Sequence, residues 1–288
     1  MSSAVRHSTH GPASDEPHGR ADLHIHTLAS DGVCGVEEIL AFAVEKTQLD
    51  VIAIADHERV DAAHAARAMA RARDLPLEVV VGEEVSTRGG HLLALFIEEA
   101  IPPLRSLRDS IGLIHEQGGL AIPPHPHLPK PVFAQAWTLR AQLDAKDPRV
   151  RPDALEAFNP TTFGRPVHRR VVSFAAEHGL AVVGNSDAHE AASVGSGWTT
   201  FHGRTGDDLR AAILAGASGW HGSFHGTASQ LPTFGRQLRK YGRDARAEIL
   251  GRARRDGSGR DHGYPGGALR PPTLDASAVA PAREEGGS

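Results

Sequence analysis

Histidine and carboxylate side chains recur directly behind short apolar runs in this chain. The run Ala181-Val182-Val183-Gly184-Asn185-Ser186 ends in Asp187-Ala188-His189, a carboxylate and an imidazole two residues apart. Side chains at i and i+2 of an extended segment share one face, so both address a single site. Leu23-His24-Ile25-His26 repeats the arrangement with two imidazoles, and such a pair grips an ion from one side. Ser30-Asp31-Gly32 follows, where Asp31 reads as a ligand or as a turn residue bonding its own backbone. Behind Val51 to Ala55 come Asp56-His57-Glu58, three titratable groups that fit a site better than a core, the alternative being the acidic first turn of a helix. In Val81-Gly82-Glu83-Glu84-Val85-Ser86 the two carboxylates fall on opposite strand faces, so one at most points into a common mouth. His91 opens the next run, and Pro123-Pro124-His125-Pro126-His127 ends the one after it. Singly, His91 and His125 read as structural histidines. As a set, these groups sit at the carboxyl ends of successive strands, the face where barrels and open α/β sheets build active sites. The chemistry indicated is that of a metal cluster.

The elements that carry these groups alternate. Strand patterns cover about 22–26, 50–55, 77–84, 91–97, 119–123, 154–158 and 180–184, and helix patterns about 36–46, 60–74, 104–117, 132–142 and 165–178. Strand runs separated by helices argue for parallel βαβ units in a barrel or doubly wound sheet. Gly118 and Gly179 are positioned as left-handed helix exits, and Thr205-Gly206-Asp207-Asp208 reads as a capping box.

The chain has 288 residues with Lys plus Arg 31 against Asp plus Glu 35, a formal net charge of −4. No global field draws it to nucleic acid or membrane, so an anionic substrate has to be held locally. The one cysteine, Cys34, rules out an intrachain disulfide and a Cys-based zinc framework, which suits a reducing compartment. No apolar run reaches the roughly 18 residues of a bilayer span, and the polar start lacks a signal-peptide core. A cytoplasmic protein with no membrane partner is expected. Residues 1–20, with His7, His10 and His18, read as a disordered N-terminal arm. Beyond about 225 the pattern fades into Gly, Arg and Pro. Within it, residues 237–255 read either as a solvated tail or as a basic amphipathic helix for nucleic acid.

His24-Ile25-His26, Ser30-Asp31-Gly32, Ala55-Asp56-His57, Gly82-Glu83-Glu84-Val85-Ser86, His125-Pro126 and Ser186-Asp187-Ala188-His189, in that order, resemble the successive motifs of the PHP (polymerase and histidinol phosphatase) superfamily of metal-dependent phosphoesterases. The resemblance covers 21–200, and residues 201–225 are similar to the short PHP-associated element that often follows, with 226–288 as a basic tail. It implies a distorted (β/α)7 TIM-like barrel holding two or three divalent ions, manganese, zinc or iron. Carried over, it assigns His24, His26, Glu84 and Asp187 to the first ion. Glu84 bridges to a second completed by His91 and His125, and Asp31, His57 and His189 hold a third. Asp187 and His189 then serve different ions, and Asp56 orients an imidazole as part of the catalytic group with them. Such a cluster lowers the pKa of a bound water from about 16 towards about 7 and clamps phosphoryl oxygens. No serine or cysteine nucleophile is then needed, and the chain has neither a Gly-x-Ser-x-Gly elbow nor a P-loop.

Arg88, Asn159 and Arg165, together with Lys130 and His168, follow strands and are the candidates for substrate contact, against a reading as surface charge or, for Asn159, a turn. The expected function is hydrolysis of a small phosphomonoester, a nucleotide or an oligonucleotide end. The alternative is a catalytically degenerate metal-binding or nucleic-acid-associated regulatory protein that works through its basic tail. The sequence leaves the oligomeric state open.

Overall fold

The structure, a computed structural model, describes residues 18–126, 136–161 and 164–224. The chain divides into two units, Met1–Asp244 and Ala245–Ser288, and every described residue lies in the first. His7, His10, His127, Lys130, the first residues of the expected 132–142 helix and the basic segment 237–255 lie outside the described residues.

Nine strands and six α-helices are described. They run β1 (His18–Ile25), α1 (Val36–Lys46), β2 (Val51–Ile54), α2 (Asp61–Ala72), β3 (Glu78–Thr87), β4 (Gly90–Leu95), α3 (Leu107–Glu116), β5 (Leu120–Ile122), α4 (Ala136–Leu143), β6 (Ala154–Phe158), α5 (Gly164–His178), β7 (Ala181–Gly184), β8 (Gly197–His202), α6 (Gly206–Leu214) and β9 (Gly219–Gly222). None of the helices is long and apolar enough to cross a membrane.

Seven strands form one curled sheet in the order β5-β4-β3-β2-β1-β8-β9, and β6-β7 form a second, two-stranded sheet. β2 is buried at all four positions because it lies between β1 and β3, parallel to both, which explains its uninterrupted apolar run. β3 changes partner midway. Glu78 to Val81 pair in parallel with β2, whereas Gly82 to Thr87 pair antiparallel with β4.

This differs from the expected (β/α)7 barrel. β4 is antiparallel to both neighbours, towards β3 because the two-residue turn Arg88-Gly89 is too short for the crossover that a parallel neighbour requires. Nor does one ladder run right round. β6 meets β5 through Asp153 N–H to Ala121 O and Glu156 N–H to Pro123 O, and the chain beyond β7 meets β1 through Ala188 N–H to His24 O and His26 N–H to Ala188 O. The result is a curled half-barrel whose gap is bridged by these hydrogen bonds. The structure also differs from the expected disordered arm at its end, because His18 to Arg20 belong to β1 and pair with β8.

Local punctuation follows the chain's chemistry. Gly118 and Gly179 take φ of +75° and +62° where α3 and α5 end, a region that costs a side-chain-bearing residue about 1 kcal/mol or more. Thr205 and Asp208 cap α6 reciprocally. The core between sheet and helices is aliphatic, with Ile25, Ile39, Leu40, Ile52 and Ile54 buried on one side of β1 and β2 and Leu23, Leu93, Leu95 and Phe201 on the other.

Candidate metal centre

Nine histidines and carboxylates converge where β1, β2, β3, β5 and β7 end. His24 Nε2 lies 3.2 Å from Glu84 Oε2 and 3.6 Å from Asp187 Oδ1, and His26 Nε2 lies 3.3 and 3.5 Å from the same two oxygens. Four ligands about 2.0–2.2 Å from one ion form a tetrahedron whose edges are about 3.3–3.6 Å. The four imidazole–carboxylate separations, 3.2–3.6 Å, lie close to that figure. His26 Nε2 is buried and, although near both oxygens, is aligned with neither for a hydrogen bond, as expected of a nitrogen that faces a cation site. The remaining nitrogens of two rings are committed elsewhere, His24 Nδ1 at 3.0 Å from Glu156 Oε1 and His189 Nδ1 at 2.9 Å from the Asp187 carbonyl. Each Nδ1–H donates there, which leaves Nε2 facing the cluster. The donor set, imidazole and carboxylate without thiolate, suits manganese, iron or zinc.

Glu84 faces two ways. Its Oε2 meets His24 and His26 and stands 3.4 Å from His57 Nε2, while Oε1 is 2.7 Å from His91 Nδ1 and 3.0 Å from His125 Nε2. On the far side, Asp31 Oδ2 lies 3.0 Å from His189 Nε2 and Oδ1 lies 3.3 Å from His26 Nδ1. The structure thus brings together every residue of the expected ligand set. The groupings differ from the expected ones: His57 is nearer to Glu84 than to Asp31, 3.9 Å away, and groups with Glu84 and His91, His125 groups with His24 and Asp187 as well as meeting Glu84, and His26 joins Asp31 and His189.

The electrostatics follow from burying opposite charges together. Burial by itself would lower the pKa of His24, but Asp187, Glu84 and Glu156 around it raise it well above the usual imidazole value. Burial also opposes protonation of His26, and contact with Asp187, Glu84 and Asp31 overrides it and raises the ring to about 10. Burial would raise Glu84 and Asp187, yet His57 and His24 beside the first and His24 and His26 beside the second hold both carboxyls well below the ordinary range. The outlying His57 is lowered, chiefly by burial.

Backbone strain gathers here as well. Among the described residues Glu58, His125 and Asp187 take φ of +58°, +30° and +52°, conformations of order 1–3 kcal/mol that persist only where surroundings enforce them.

Supporting residues complete the centre. Asp56, expected to orient an imidazole, instead accepts from Thr27 N and Thr27 Oγ1, each at 2.7 Å, and from the Ser30 hydroxyl. It pins the loop that carries Asp31 and reaches His26 only through Ser30, whose Oγ is 3.4 Å from Nδ1. The Asn159 amide donates to Glu156 and Asp187 and its oxygen accepts from Thr161 N, so it holds a carboxylate and a turn. Arg88 and Arg165 are exposed, Arg88 at the β3–β4 turn and Arg165 at the start of α5 with its guanidinium 5.9 Å from the Phe224 ring centre. His168 Nδ1 donates to the Ala157 carbonyl at 2.7 Å. Sequence reasoning assigned no role to Glu156, which is 1 % exposed. It accepts from His24, the Asn185 amide, the His125 backbone N–H and Asn159. A glutamate within an otherwise apolar strand was the only signal available.

Comparison with known proteins agrees with this architecture. Residues 166–218 match a family model described as PHP-associated. An uncharacterized protein of Methanocaldococcus jannaschii is 37% identical over 121 residues, 38% of this chain and 69% of that protein. The 5'-3' exoribonuclease Rnm of Salmonella typhimurium is 38% identical over 88 residues, 29% of this chain and only 30% of that enzyme. Among solved structures, a two-domain protein of Bacteroides vulgatus containing a predicted PHP-like metal-dependent phosphoesterase superposes with a TM-score of 0.57 at 18% identity, covering 82% of this chain and 75% of that one. With its six motifs in order, its curled α/β sheet and these matches, the chain belongs to the polymerase and histidinol phosphatase (PHP) superfamily.

Proposed function

We propose that this chain is a divalent-metal-dependent hydrolase of phosphate esters, acting on a nucleotide, an oligonucleotide end or another small phosphomonoester. The observation that carries the reading is the quartet His24, His26, Glu84 and Asp187, whose facing N and O atoms stand 3.2–3.6 Å apart. In this reading the quartet would hold one ion, Glu84 with His91 and His125 a second, and Asp31 with His189 a third, with His57 beside Glu84. Manganese, zinc and iron all suit the donors. When bound, such ions supply the Lewis acidity that activates water and offsets charge on the phosphoryl group. The chain's own part is to hold the ions and exclude competing geometries. Glu156 fixes the His24 ring, Asn159 fixes the Asp187 carboxylate, and Asp56 with Ser30 and Thr27 fixes the loop bearing Asp31. Arg88 and Arg165 are exposed cations available to a phosphate. Similarity to two 5'-3' exoribonucleases, confined to about a third of their length, supports a nucleotide-containing substrate.

Metal analysis of the purified protein, followed by assays on an aryl phosphate, a 3′,5′-bisphosphonucleotide and a short RNA with each metal restored, tests the reading. Release of phosphate or nucleotide is expected, and Asp187→Ala and His189→Ala are expected to lose different ions. A metal-loaded protein inert across the panel, with Asp187→Ala unchanged in metal content, would refute it.

A further inference from the structure

The rim beside the centre carries apolar and basic side chains together. Three of the four large hydrophobic residues left exposed among the described residues, Leu28, Leu104 and Trp137, stand at this end of the sheet, Trp137 being 74 % exposed. Leu28 is two residues past His26. Leu104 N–H donates to Ser86 O, and Arg88 N–H to Arg105 O, so the 104–105 segment lies along the end of β3. Gly89 sits against Leu107 and α4, since a Cβ there would meet Leu107 Cβ at 2.8 Å and Thr138 Cγ2 at 3.0 Å, so the start of the helix that carries Trp137 lies beside the turn that bears Arg88. Ser86 pairs directly with His91, and Arg88, two residues on, is about 7 Å further along the strand. Leu104 is held outward at φ +59°, a conformation bulky residues rarely adopt.

We propose that this rim is a track for single-stranded nucleic acid, on which a base stacks against Trp137 and backbone phosphates meet Arg88 and Arg105 as the strand end enters the metal centre. The inference rests on the phosphoesterase reading and deepens it by naming the substrate class. An exposed indole and exposed guanidinium groups on one rim are the combination that binds single strands, since every base offers a π-face and every linkage a charge. Neither Arg88 nor Arg105 has a carboxylate partner among the described residues. An apolar protein surface covering Trp137 and Leu104 would desolvate both cations without compensation. Stacking on a side chain also requires a base outside a duplex.

The test is fluorescence anisotropy of a labelled oligouridylate with the full chain, in EDTA so that nothing is cleaved. Trp137→Ala is expected to weaken binding about tenfold, and Trp137→Phe to stay within about twofold of wild type. The double variant Arg88→Ala/Arg105→Ala is expected to lower the slope of log affinity against log salt by about 1.4, two phosphates' worth for a single strand. Melting curves identify any variant that fails to fold, and the double variant then carries the test alone. Wild-type affinity and salt slope in these variants would overturn the proposal. So would Trp137→Ala turning a dimer into a monomer at unchanged affinity, which would make the rim a self-association face. Failure of the parent reading is separable, as a protein that releases no phosphate with any metal while binding still depends on Trp137.

Discussion

Glu156 accepts four hydrogen bonds, one each from His24, His125, Asn159 and Asn185, so the geometry of the centre depends on a residue that is not among the expected ligands. Glu156→Gln puts an amide N–H where an acceptor is needed, and a change of this kind behind a ligating imidazole lowers metal affinity or activity about 10–100-fold. Metal content measured at an unchanged melting temperature distinguishes this positioning role from a structural one. Glu83 makes the converse case. It is adjacent to Glu84 but on the opposite face, where one oxygen accepts from Ile101 N at 2.8 Å. Burial pushes its carboxyl up from 4.5 to about 8, the Ile101 N–H opposing. Since the folded value exceeds the unfolded one, the contribution to stability is full below about pH 4.5 and is lost as pH rises through about 8. The slope in that window is about 1.4 kcal/mol per pH unit. Glu83→Gln should flatten the fall in urea-unfolding stability between pH 6 and 8, and equal slopes in the two proteins would contradict the assignment.

At the scale of elements, the loop from β1 to α1 and the β3–β4 hairpin do most to arrange the site. A Cβ on Gly32 would stand 2.5 Å from His26 O and 2.8 Å from Thr27 N, both backbone atoms that cannot move without displacing His26. Gly32→Ala should therefore cost about 1–3 kcal/mol and loosen Asp31, seen as a lower melting temperature with less bound metal. The hairpin shows how far sequence reading reaches. The strand patterns at 77–84 and 91–97 are legible from their apolar runs, but their relation is not. Nothing in the period-2 pattern says that β3 leaves β2 at Gly82 to pair with β4, because pairing direction is set by the length of the connection and by which neighbour completes the sheet. β8 and β9 were equally hidden, since Gly197–His202 and Gly219–Gly222 are short and rich in Gly, Trp and His rather than in aliphatic residues.

For the whole molecule, the buried charges couple cation binding, protons and stability. Carboxylates raise His24 well above its ordinary pKa and His26 to about 10, so near neutral pH a cation has to displace protons from these rings. Calorimetry in buffers of different ionisation enthalpy should show more than one proton released per ion bound at the quartet. Affinity should fall as pH falls, because the raised imidazole values let protons compete more strongly. By mass action, metal at a hundredfold its dissociation constant should add about 2.7 kcal/mol of stability, and EDTA should remove it. The sequence by itself determined which ligand types exist, their order, and their position behind successive apolar runs, because strand period and burial are local properties. Only the tertiary structure decided which ligands meet. His24 and Glu84 are separated by 60 residues, His24 and Glu156 by 132, and Asp31 and His189 by 158. The division of Glu84 between two groups of imidazoles, the approach of His57 to it, and the support from Glu156 and Asn159 depend on distances that exist only once the sheet has curled and the β6–β7 pair has docked against it.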